Sequence, residues 1–123
     1  MNKVYFAVAI LLFFPLFASG YRMYTETKCK ELIKTVELAE ENVDTDLGEE
    51  SFKEAEKKWG KLETIIAMSA HHSLVEEINE SFIKAKTWLV LDEKNMYIAE
   101  LKWLRRLIRH VYETERAEIY NIF

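Results

Sequence analysis

The chain has 123 residues, of which 17 are Lys or Arg and 21 are Asp or Glu, for a formal net charge of −4; it holds three glycines, one proline and one cysteine. The acidic balance argues against nucleic acid as the partner, because duplex binding rests on neutralising phosphates with lysine and arginine. A single cysteine excludes an internal disulfide, no Cys/His spacing matches a zinc site, and the shortage of helix breakers in so short a chain points to one small helical domain.

The first element is the uncharged run from Val4 to Tyr21, preceded by Lys3 and closed by Arg22. As a helix it rises about 27 Å, close to the hydrocarbon thickness of a bilayer. Val4, Phe6, Ile10, Leu11, Leu12, Phe13, Phe14, Leu16 and Phe17 are the residues expected to meet lipid, and the last three carry the apolar character to both sides of Pro15. Residues 1–21 are therefore expected to form a membrane anchor. A cleaved secretory signal is the alternative, since Met1–Lys3 makes a basic n-region and Ala18-Ser19-Gly20 offers small residues for cleavage. Basic residues fall on both sides of the run, so the positive-inside rule barely discriminates; the short N-terminal tail favours N-in. The expected location is the cytoplasmic membrane, single-pass, with residues 22–123 outside it, or secretion if the run is removed.

From Tyr21 to Asn42 there is no breaker, and Cys29, Leu32, Ile33, Val36, Ala39 and Val43 recur at three- and four-residue steps, the signature of an amphipathic helix. Gly20 is expected to be a hinge between this helix and the membrane. Asp46, three residues before Glu49, resembles a capping box that opens a second helix with Phe52, Ala55, Trp59, Leu62, Ile65 and Ile66 inward and Glu49–Lys53 and Glu54–Lys58 pairs outward. The spacing is lost at Ser69-Ala70-His71-His72-Ser73, where a turn or sharp bend is expected, with Ser73 and Glu76 as a further capping box; one continuous helix from about 46 to 90 is the alternative. A third helix carries Leu74, Val75, Ile78, Phe82, Ala85, Trp88 and Leu89 inward. Asp92 is expected to cap a fourth, about 93–118, with Tyr97, Leu101, Leu104, Ile108 and Val111 in one stripe and Met96, Trp103 and Leu107 in an adjacent one, broad enough to touch two neighbours. The expected architecture is all-α: an N-terminal transmembrane or signal helix followed by an antiparallel bundle of about four helices.

His71, His72 and Glu76 can be combined on paper into a metal site, yet the residues three before the histidines lack the glutamates that di-iron bundles place there. Helix-end histidines that cap or pair are the simpler reading, and no resident cofactor is expected. Charge is uneven, with nine acids against Lys53 alone in residues 37–56, answered by Lys102, Arg105, Arg106 and Arg109 on the last helix. That strip suits anionic headgroups or an acidic partner, or else complements the acidic turn within the fold. Trp103, at the edge of its stripe, and the apolar terminus ending in Phe123 are the candidate partner anchors. Cys29 lies on the inward face and is expected to be a buried thiol. No nucleophile–base arrangement, phosphate loop or nucleotide fingerprint is present, so no catalytic residue is assigned.

The apolar run, Trp59 with its following helix, the segment His72-Ser73-Leu74-Val75-Glu76-Glu77-Ile78, and the stretch from Leu107-Ile108-Arg109-His110-Val111 to Asn121-Ile122-Phe123 together resemble the bacterial family called domain of unknown function 4363. The resemblance spans nearly the whole chain. It implies a small anchored, extracytoplasmic helical protein of Gram-positive bacteria without an assigned activity. The functional expectation is a membrane-tethered, non-enzymatic bundle that binds a membrane or envelope protein, with a small metal-binding sensor module as the alternative. Oligomeric state is left open.

Overall fold

The computed structural model describes residues 2–68 and 72–122, and of 115–122 only the backbone. It contains four helices, α1 (Asn2–Glu41), α2 (Asp46–Ala67), α3 (His72–Val90) and α4 (Lys94–Ile122), and no strand among the described residues. Helix α1 is continuous through Pro15 and Gly20, so the expected hinge at Gly20 is not formed. A lone glycine costs a helix only about 1 kcal/mol, which long helical flanks on both sides absorb.

The four helices follow an up-down-up-down path. Lys58 Nζ donates to Thr35 Oγ1 at 2.7 Å and the Tyr21 hydroxyl donates to the Ile65 carbonyl at 3.0 Å, which sets α2 antiparallel to α1. Lys94 lies 2.6 Å from Asp44 and Lys30 lies 5.8 Å from the Tyr112 ring centre, so α4 also runs antiparallel to α1. Helix α4 thus packs against both α1 and α3, as the breadth of its apolar face requires. The bundle has two layers, the α1–α2 hairpin and the α3–α4 hairpin.

The core follows the apolar periodicity. Cys29, Leu32, Val36, Ala39, Ala55, Ile66, Ile78, Ala85, Leu101, Leu104, Ile108 and Val111 are completely buried. Burial of each large member removes apolar surface worth about 1.5–3 kcal/mol. Ile65, Val43, Trp88 and Leu89 are half-buried at the rim, while Met96 and Trp103 are exposed. Between α2 and α3 the backbones approach at few places, and aromatic side chains fill the seam. Phe82 packs between Phe52 and Trp59 at ring separations of 6.0 and 6.3 Å, and Phe52 meets Tyr97 edge-on at 5.8 Å.

The turns correct three expected caps. The Asp46–Glu49 capping box is not formed: the N-cap of α2 is Thr45, whose side chain makes no cap bond to its own helix but donates backward at 3.0 Å to the Asn42 carbonyl, which also accepts the Thr45 backbone N–H. Asp92 does not cap α4 but ends α3. With φ of 57°, it lets Glu93 N–H reach the Trp88 carbonyl at 2.9 Å and its own N–H reach the Leu89 carbonyl at 3.2 Å, a Schellman motif. Ser73 lies inside the first turn of α3, which starts at His72, and so is not its N-cap. The expected Glu54–Lys58 pair gives way to the Lys58–Thr35 bond, because a partner on the neighbouring helix shields that amine from water, whereas Glu49–Lys53 forms at 3.8 Å.

Two glycines of α2 differ in what surrounds them, and they make a paired test. A Cβ on Gly48 would collide with the Asn42 carbonyl, whereas one on Gly60 meets nothing within 4 Å. Gly60→Ala is expected to raise stability in urea unfolding by about 1 kcal/mol through helix propensity. Gly48→Ala, despite the same propensity gain, is expected to lower it by about 1–3 kcal/mol.

Candidate functional site

The apolar segment stands clear of the bundle. Val4, Phe6, Ile10, Leu11, Leu12, Phe13, Phe14, Leu16 and Phe17 are between 51% and 77% exposed, so none of them contributes to the core. Among the described residues α1 is the one helix long and apolar enough to cross a membrane, a property that secretory signals share. Contacts with the bundle begin at Tyr21, through its bond to Ile65, and Thr25 is the first fully buried residue.

The basic strip of α4 is divided between two roles. Arg105 turns toward α1, where Nη2 donates to Glu40 Oε1 at 3.2 Å, Nη1 donates to Glu37 Oε1 at 3.4 Å, and Nε makes a charge contact with Glu40 Oε2 at 2.9 Å. Its side chain is only 23% exposed and that of Glu40 13%, so water screens the pair weakly. The strip therefore complements the acidic end of α1 through this residue. Lys102, Arg106 and Arg109 are exposed and form no ion pair or hydrogen bond among the described residues. Trp103, 49% exposed, shares a surface groove with Arg106, Arg109, His110, Leu107, Glu113 and, from α3, Glu77. Phe123, the other candidate anchor, lies outside the described residues.

Of the histidine cluster, His71 also lies outside the described residues, and His72 and Glu76 are exposed at the start of α3. Among the described residues no three His, Cys, Asp or Glu side chains are grouped so as to hold a metal ion. Cys29 is a free, buried thiol.

Two polar arrangements carry little sequence signal. In the α2–α3 seam, Trp59 Nε1 donates to Asn79 Oδ1 at 2.7 Å and Asn79 Nδ2 donates to Glu63 Oε1 at 2.9 Å, so the amide links the buried indole to a carboxylate on the same helix. Periodicity alone marks Asn79 as an ordinary outward residue. Tyr97 was legible as core, but the isolation of its hydroxyl was not: it is buried without a hydrogen-bond partner. Burial, and then the charges of Glu49 and Glu56, push its phenol up to about 12. Nothing in this set combines a nucleophile with a base, and the arrangement does structural work.

The sequence model of one family, described as Domain of unknown function (DUF4363), matches residues 17–122. No curated protein and no solved structure matches the chain at a significant level.

Removing one partner of the Arg105 cluster strands the others. Arg105→Ala is expected to destabilise the fold by about 1.5–3 kcal/mol in denaturant unfolding, and Arg105→Lys to restore only part of this, because an ammonium cannot bridge two carboxylates with the same fork. For Tyr97 the folded pKa lies above the unfolded value of about 10, so its contribution is complete below pH 10 and is lost as pH rises toward 12. Unfolding of Tyr97→Phe, compared with the parent from pH 9 to 12, should show a shallower alkaline loss of stability. At neutral pH the variant should equal or exceed the parent, since the hydroxyl it removes is unpartnered.

Proposed function

The chain belongs to the family of domain of unknown function 4363, and on that premise we propose that it is a membrane-tethered, non-enzymatic helical protein that binds another membrane or envelope component. The observation that carries this reading is the continuity of α1. One helix runs from an apolar segment exposed to solvent on all sides into the packed bundle, with no linker between them. Such a segment in water leaves a large apolar surface uncovered, at about 25 cal/mol for each Å², and lipid removes that cost. Pro15 is compatible with a spanning helix: it withholds one donor from the Leu11 carbonyl, a loss that spanning helices accommodate by local adjustment.

In this reading the membrane is crossed once, N-terminus in, and the bundle stands outside the cytoplasmic membrane. Chemistry is not required of it, because surface grooves lined by mixed charges and half-exposed apolar groups suit contact with a protein better than turnover of a small molecule. The candidate contact residues are Lys102, Trp103, Arg106 and Arg109; Arg105 acts from behind them as a brace.

Fractionation of the full chain carrying a C-terminal tag tests the tether. The chain is expected in the membrane pellet, resistant to alkaline carbonate and released by detergent, with its N-terminus intact. Leu11→Arg/Phe14→Arg is expected to move it out of the pellet, since each cation at a helix centre costs about 2.5–3.5 kcal/mol of insertion. Recovery of the parent in the culture fluid with a new N-terminus near Tyr21 would establish the secreted alternative.

A further inference from the structure

The end of the bundle that faces the apolar segment carries large uncharged side chains that the fold leaves uncovered. Met68, at the C-cap of α2, is 83% exposed, and Met23 and Tyr24 of α1 are 62% and 48% exposed. Single exposed apolar residues are ordinary on a protein surface. What distinguishes these three is their height relative to the apolar run.

Two bonds set that height. The Tyr21 hydroxyl donates to the Ile65 carbonyl at 3.0 Å, so Ile65 stands close to the level of Tyr21, where the apolar run ends. The Lys58–Thr35 bond fixes α2 as antiparallel to α1, so each residue beyond Ile65 lies further toward the apolar segment. Met68 keeps helical backbone, with φ of −69° and ψ of −19°, and lies about 4.5 Å beyond Ile65 at about 1.5 Å per residue. That puts it level with Ala18, on a helix other than the anchor. By the same rise, Met23 and Tyr24 lie about 3 and 4.5 Å to the other side of Tyr21. All three fall inside the interfacial layer of a bilayer, which is roughly 5–8 Å deep on each side of the hydrocarbon. Charge does not choose this surface: Lys28 pairs with Glu31 and Lys30 with Glu26, while Arg22, Lys61 and His72 stand with Glu63 and Glu76. Neutral lipid therefore suffices.

We propose that the Met68 end of α2, with Met23 and Tyr24 of α1, is seated in the interfacial layer of the bilayer that α1 crosses, and gives the bundle a second membrane contact beside its anchor. The proposal rests on the tethered reading. Three side chains bury too little area to bring a free protein to a membrane, but α1 already holds them at the lipid, so seating them needs no separate association. Contacts on two neighbouring helices then restrict the tilt and rotation of the bundle on its anchor.

The test uses the full chain in phosphatidylcholine vesicles on a Cys29→Ala background, with a fluorophore attached at Met68→Cys, at Phe13→Cys in the apolar run, or at Val90→Cys. Val90 is 76% exposed at the far end of the bundle, near the Lys94–Asp44 pair, and serves as the reference for a probe in water. Flotation is measured first, and circular dichroism confirms that each variant is folded. Lipids spin-labelled at the headgroup or deep in the acyl chain then quench whichever probe they reach. The deep label is expected to quench the Phe13 probe best, and the headgroup label to quench the Met68 probe several-fold more than the Val90 probe. Raising salt to about 0.5 M should leave the Met68 signal unchanged, because no charge attraction holds it there. A floated chain with Phe13 quenched, but with Met68 no more quenched than Val90 or released by salt, overturns the proposal and leaves the tether standing. A chain that does not float, or whose Phe13 probe the deep label does not reach, overturns the tether and this proposal with it.

Discussion

The structure depends on the continuity of α1. The same helix that carries the apolar segment continues without a break into the bundle, so no linker separates its first 19 residues from its bundle-forming half. A helix, whose backbone groups pair almost entirely within itself, is one of the two architectures that can enter hydrocarbon. The three other helices are arranged around the C-terminal half of α1 and inherit its direction. The C-terminal end of α2 lies toward the apolar segment, and the α1–α2 and α3–α4 turns lie away from it.

Around that axis the core is conventional leucine, isoleucine and alanine packing on three seams and aromatic on the fourth. The α2–α3 seam holds Phe52, Trp59 and Phe82, whose bulk separates the backbones while still excluding water. An indole placed there needs an acceptor, and Asn79 supplies it while donating to Glu63 in turn. Polar bonds at the other seams act as register pins. Tyr21 holds the base of α2, Lys58 its middle, and Arg105 ties α4 to two glutamates of α1, so sliding α1 along either neighbour would break several charged or buried contacts together.

Charge is segregated along and across the molecule. The acidic segment 37–56 occupies the end far from the apolar helix, where Lys94–Asp44, Lys86–Glu56 and Arg105 neutralise part of it. What is left over is mixed on the α1–α2 layer, where Lys34, Lys57 and Lys61 stand among Glu41, Glu50 and Glu54, and basic on the outer strip of α4. On α4, which cation is paired within the fold and which is left exposed is set by the way each side chain faces. Arg105 and Lys102 are three residues apart on one helix, yet only the first points at α1.

The sequence by itself determined that the chain is all helical, that an apolar helix precedes a bundle, and which face of each helix is buried. These follow from local periodicity: Leu32 with Val36 and Leu101 with Leu104 and Ile108 must face one way whatever they face. The buried state of Cys29 and the exposure of Trp103 were legible for the same reason. Only the tertiary structure decided the rest, because it depends on neighbours remote in sequence. Thr45 gave its hydroxyl to the Asn42 carbonyl of the preceding turn rather than to its own helix, Asp92 took a left-handed conformation to end α3, and Lys58 left Glu54 for Thr35. Gly20 was overruled as a hinge, since a helix with long helical flanks on both sides has no gain in breaking there. Which cation of the α4 strip braces the fold and which are free to meet a partner was likewise set by the angle at which α4 packs on α1, a quantity that no local pattern encodes.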